Sequence, residues 1–99
     1  MNYDIKLYHE KSELLKALAH PIRLCIVRGL LKRGSCSVTY MEECLNVSQS
    51  AVSQHLTKLK AAGILKMIRT GNTNMYEVVN PEMIRLITCL FEEEGNETL

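Results

Sequence analysis

The sequence predicts a mainly α-helical fold with one small β-hairpin, and three observations point to it. Apolar residues recur at helical intervals through most of the first 62 residues and again after Pro81. Between those stretches, residues 65–79 change to short β-type segments around a polar turn. The two prolines, Pro21 and Pro81, both stand where a helix would begin, a position that tolerates proline because its N–H has no helical partner. At 99 residues the chain is read as one domain spanning 1–99, and such a domain buries only about 60 to 65% of its unfolded surface. Dimerisation would add to that burial.

The first helix fits residues 5 to 18, with Ile5, Tyr8, Leu14, Leu15 and Leu18 at mostly helical intervals. His20-Pro21 interrupts it. The second is expected from about Pro21 to Leu31, stopping near Gly34; its apolar residues surround most of its circumference, so it belongs in the centre of the fold. A short third helix fits Val38 to Leu45, with Ser37 as N-cap or Thr39/Glu42 as an alternative capping pair. Asn46 can take the left-handed conformation that ends a helix, and Ser48 then caps a fourth helix that ends at Gly63. Two helices joined by Asn46-Val47-Ser48 make a helix-turn-helix. LKMIR and MYEVV around TGNTN read as the hairpin, of the size called a wing. Asn80-Pro81 opens the last helix, with a wide stripe of Met83, Ile84, Leu86, Ile87, Leu90 and Phe91. The expected architecture is a winged helix-turn-helix: four helices, two strands, one helix.

The fourth helix has an exposed face without acids. At ~100° per residue, Val52, Leu56 and Leu59 share one sector and Ser50, Ser53, Gln54 and Thr57 the opposite one. Surface helices ordinarily carry Glu and Lys pairs. Short hydroxyl and amide side chains instead let a partner approach closely and bond base edges or phosphates. Charge is segregated to match: Leu14 to Met41 holds five basic residues and no acid, Ser48 to Tyr76 holds four and no acid, and acids concentrate in FEEEGNE after Leu90. A basic middle suits a polyanion. The expected DNA contacts are Ser48, Gln49, Ser50, Ser53, Gln54, His55, Thr57 and Lys58, with Lys60 flanking and Arg69 near the wing tip reaching phosphate or a minor groove. His55 lies between the sectors and is expected to pack and to donate one hydrogen bond to the DNA backbone rather than to read a base.

MNYDIKLYHEKSELL carries charges throughout, and no run approaches the roughly 18 apolar residues of a membrane span. A cytoplasmic chain with no membrane partner is expected. The four cysteines, Cys25, Cys36, Cys44 and Cys89, have neither zinc-site spacing nor scaffold density, so reduced thiols are expected. Cys25 and Cys44 read as small buried hydrophobes. Cys36 precedes a helix N-terminus and Cys89 lies one turn after Arg85, settings that favour thiolate.

ALAHPIRLCIV at 17 to 27, LNVSQSAVSQHLTKLKAAGIL at 45 to 65 and the hairpin ending MYEVV at 75 to 79 together resemble the ArsR/SmtB family of bacterial winged-helix repressors. The resemblance implies a homodimer through the first and last helices, with Leu14, Leu18, Met83, Leu86, Ile87 and Leu90 as interface residues. It also implies a two-fold DNA operator and release by an inducer. The arsenic-type Cys-Val-Cys is replaced by Ser37-Val38-Thr39, no His follows His55 for a zinc site on the last helix, and no Cys precedes Cys25. A persulfide- or oxidant-sensing subgroup places one thiol on the second helix and one on the last, as Cys25 and Cys89 are placed, though both stand several positions early. The sensing thiols expected are thus Cys25, Cys89 and Cys36, acting by redox or sulfur chemistry. A soft metal or metalloid ion on cysteines is the alternative, and a winged helix that binds protein without an operator is the rival from another class. Nothing suggests an enzyme: no pocket motif or acid-base constellation accompanies the thiols.

Overall fold

A computed structural model describes residues 3–92. The acidic residues beyond Glu92 lie outside the described residues. Five helices, α1 (Ile5–Leu18), α2 (Pro21–Arg33), α3 (Val38–Leu45), α4 (Gln49–Ala61) and α5 (Pro81–Phe91), accompany three strands, β1 (Cys36–Ser37), β2 (Leu65–Thr70) and β3 (Thr73–Val78). The architecture is the expected winged helix-turn-helix, with one strand more than foreseen. β1 pairs antiparallel with β3 through Cys36 opposite Tyr76 and Ser37 opposite Met75, giving a three-stranded sheet in the order β1-β3-β2. The wing strands also run further into the polar segment, with Thr70 opposite Thr73, so the turn is tighter than TGNTN suggests. Gly71, with φ of 62°, supplies the left-handed residue this turn needs.

Local chemistry sets the helix ends. Ser37 Oγ accepts from Tyr40 N, Ser48 Oγ from Ala51 N and Asn80 Oδ1 from Met83 N, at 3.2, 3.1 and 3.1 Å. Each satisfies one of the N–H groups a helix start leaves open. Asn46 is left-handed, φ 56° and ψ 45°, and its N–H bonds Glu42 O. That turn sets the angle between α3 and α4. Asn80→Ala is expected to cost about 1 kcal/mol of stability, read as a shifted denaturant midpoint; an unchanged midpoint would show that the cap contributes nothing.

The core gathers Ile26, Val27 and Leu30 of α2, Val52, Leu56 and Leu59 of α4, Ile64 and Leu65 after it, and Met83 and Ile87 of α5. Leu18, Met83 and Ile87, expected at a dimer interface, are buried inside the protomer instead, at 3, 4 and 1% exposure. The α5 stripe is wide enough to serve two surfaces, and its central residues turn inward. Leu14 and Leu86 line a groove between α1 and α5, beside the Lys11–Glu82 ion pair at 2.7 Å. Leu90 remains exposed, with Ile84 on α5 and Ile5, Tyr8 and Leu15 on α1. Among the described residues no helix is long and apolar enough to cross a membrane.

Candidate nucleic-acid interface

α4 is held by Val52, Leu56 and Leu59, exposed by 0, 2 and 0%. Because those three occupy one sector, Gln49, Ser50, Ser53, Gln54, Thr57, Lys58 and Lys60 stand exposed on the others. Ser53, Gln54, Thr57 and Lys58 line one shallow concavity. The side chains of Gln49, Ser50, Ser53 and Gln54 make no hydrogen bond within the protomer among the described residues. Their donors and acceptors are available to a partner. Thr57 differs: its hydroxyl donates to Ser53 O at 2.9 Å, which leaves it acceptor capacity only. Ser48 differs in the opposite sense, since its oxygen caps α4 and its O–H remains free to donate to a phosphate. No acid stands in the first turn of α4, and Lys58 and Lys60 stand in its last.

Arg69 sits at the wing tip, where its guanidinium donates to Gly71 O and Asn74 Oδ1 at 3.3 and 3.2 Å. Those bonds fix the cation at the tip while leaving it exposed. β2 and α4 thus present basic groups on two separate projections.

Behind α4 lies a cluster that sequence reasoning missed. His20 caps α2, its Nδ1 accepting from Ile22 N at 3.1 Å, and its ring lies 4.5 Å from that of His55. Arg23 donates through Nε to Ala17 O at the end of α1 and through Nη1 to His55 Nδ1, the latter at 3.2 Å. Arginine can only donate, so His55 Nδ1 is the acceptor and a neutral ring carries its proton on Nε2. One side chain therefore ties α1, α2 and α4 together. The available signal was His20 standing directly before an N1 proline, the cap position; its partner is 35 residues away, beyond what spacing reveals.

Half-burial, then the positive charges of His20, Arg23 and Lys58, lower the His55 pKa from 6.5. The unfolded chain then binds a proton that the folded chain refuses. Stability is therefore full above about pH 6.5 and falls as pH drops towards the folded pKa. His55→Gln is expected to flatten that acid-side decline in denaturation curves taken across pH 5 to 7; an equally steep decline in the variant would place its origin elsewhere.

The thiols are distributed differently from expectation. Cys25 and Cys44, read as buried, are exposed, because the Cys25 side of α2 is not covered and Cys44 stands near the exposed end of α3. Cys36, read as a thiolate at a helix start, is the buried one, at 5% exposure on β1. Cys89 is exposed on α5. Cys25, Cys36 and Cys44 line one cleft, which Cys89 does not reach. Among the described residues no three His, Cys, Asp or Glu side chains are grouped so as to hold a metal ion.

A helix-turn-helix domain family matches residues 18–68, more than half of the chain. The transcriptional repressor PagR of Bacillus anthracis is 41% identical over 81 residues, covering 82% of this chain and 81% of PagR. Its crystal structure superposes with a TM-score of 0.81 at 38% identity, covering 88% of this chain and 99% of that one. The repressor SmtB of Mycobacterium tuberculosis is 34% identical over 88 residues, 89% of this chain and 64% of SmtB. HlyU from Vibrio cholerae has a TM-score of 0.84 at 32% identity, covering 90% of this chain and 96% of its own. Helix order, wing and sequence agree: this chain belongs to the ArsR/SmtB family of winged-helix transcriptional repressors.

Proposed function

We propose that the chain acts as a homodimer that holds a two-fold DNA operator and releases it when its cysteine thiols are modified. The observation that carries the DNA reading is the exposed, acid-free face of α4, whose Ser50, Ser53 and Gln54 side chains have no partner within the protomer among the described residues. In this reading those residues and Thr57 face base edges in the major groove. Ser48, Gln49, His55 and Lys58 approach phosphates, and Arg69 extends the contact through the wing.

Dimerisation supplies the second recognition helix, about 34 Å away along the duplex. The exposed apolar residues Ile5, Tyr8 and Leu15 on α1 and Ile84 and Leu90 on α5 support it. Ile5, Tyr8 and Leu15 recur at intervals of three and seven, one helix face, and burying them removes an apolar surface from water. Small changes in the angle between protomers would then shift both reading helices at once.

Release through thiols is supported by the exposure of Cys25 on α2 and Cys89 on α5. The test is operator binding, on a duplex selected from a random pool, before and after persulfide, oxidant, arsenite or zinc. Wild type is expected to release DNA with persulfide or oxidant, and Cys25→Ser or Cys89→Ser to resist. Release by arsenite or zinc alone would favour the metalloid alternative. Full responses in every cysteine variant would overturn thiol sensing.

A further inference from the structure

A cleft of about 260 Å³ opens between α2, β1 and α3, and three of the four cysteines line it. Cys25 comes from α2, Cys36 from β1 and Cys44 from α3. Apart from Lys32 and Arg33 at its rim, the remaining wall is almost entirely apolar. Gly29 stands in the middle of α2 beside it, and a Cβ there would meet nothing within 4 Å. A helix glycine is a destabilising choice relative to alanine, and here it leaves the cleft open. Tyr40 lies in the cleft with the Arg33 guanidinium 4.1 Å above its ring centre. Cys44 stands one helical turn from Tyr40 on α3 and is the chief reason that the phenol's pKa is raised.

We propose that this cleft is a covalent binding site for small apolar carbon electrophiles of the α,β-unsaturated carbonyl class, with Cys44 as the nucleophile. The walls select the class. A hydrated sulfide or metal ion gains little from apolar walls, whereas a ring-sized uncharged molecule gains by leaving water. Cys44 loses its S–H proton to water, and its thiolate adds to the β-carbon. The C–S bond forms, the C=C π pair moves to the carbonyl oxygen as an enolate beside the cationic rim, and water returns a proton to the α-carbon. One thiol and one enone become one thioether, with nothing oxidised or reduced.

The cleft has mechanical access to both DNA-contacting parts. Cys36 in its floor pairs across β1 with Tyr76 of the wing, and α3 packs against α4. An adduct wedged between α2 and α3 therefore displaces the reading helix and the wing together. This consequence rests on the proposed release of DNA by thiol modification.

The test uses the full chain, cyclohexenone as probe and acrylamide as a polar probe of the same reaction type, with each cysteine followed by peptide mass mapping. Cys89, exposed outside the cleft, is the internal reference. Cyclohexenone is expected to modify Cys44 roughly tenfold faster than Cys89, the gain from burying a ring-sized apolar surface, at a rate that saturates with probe. Acrylamide should bring the two rates towards parity, and Cys44→Ser should abolish the fast phase. Equal cyclohexenone rates at Cys44 and Cys89, or a Cys44 rate that never saturates, would overturn the site. Selective Cys44 modification with DNA still bound would uphold the cleft and refute release. Release that tracks Cys89 modification alone would do the reverse.

Discussion

Alanine at Ser53 or at Gln54 is expected to lower affinity for the selected operator by roughly 1 to 3 kcal/mol each, while leaving thermal stability unchanged. Both side chains are exposed and make no hydrogen bond within the protomer among the described residues, so truncation removes nothing from the fold. Lys58→Ala should behave differently, weakening operator and scrambled duplex alike and reducing the salt slope by about one. Fluorescence anisotropy on the two duplexes separates these effects. Unchanged operator affinity in both alanine variants would mean that another face of α4 reads the DNA.

Leu59→Ala is expected to cost about 2 to 5 kcal/mol of folding free energy, a large share of the roughly 5 to 15 kcal/mol available to such a domain. Leu59 is 0% exposed and belongs to a core cluster that joins α2, α4 and α5. Removing its side chain leaves a cavity under the reading helix, so the loss combines transfer and packing terms. Denaturant curves at equal protein concentration measure it, since dimerisation makes apparent stability concentration-dependent. A loss below about 1 kcal/mol would show that α4 can collapse onto the gap.

The helix boundaries were legible because their signals are local. Ser37, Asn46, Ser48 and Asn80 act within three or four residues of themselves, and each sits in the structure as its chemistry demands. The acid-free face of α4 was legible for the same reason, since a wheel needs only one helix. β1 was not, because two residues are too few to show a period and their pairing depends on β3, some 40 residues on. The Arg23–His55 bond and the shared cleft of Cys25, Cys36 and Cys44 join separate elements, and no spacing rule foretells either. The α5 stripe shows a subtler limit. Apolar spacing marks which residues leave water, yet core and interface make the same demand, and only the packed protomer shows that Met83 and Ile87 turn inward.

The most direct measurement is a salt titration of duplex DNA binding by the intact chain. The account predicts measurable affinity at low salt and a steep linear fall of log affinity with log salt, with a slope near −0.9 for each phosphate neutralised. Absence of duplex binding in dilute buffer, or binding indifferent to salt, would contradict it and favour a winged helix that recognises protein.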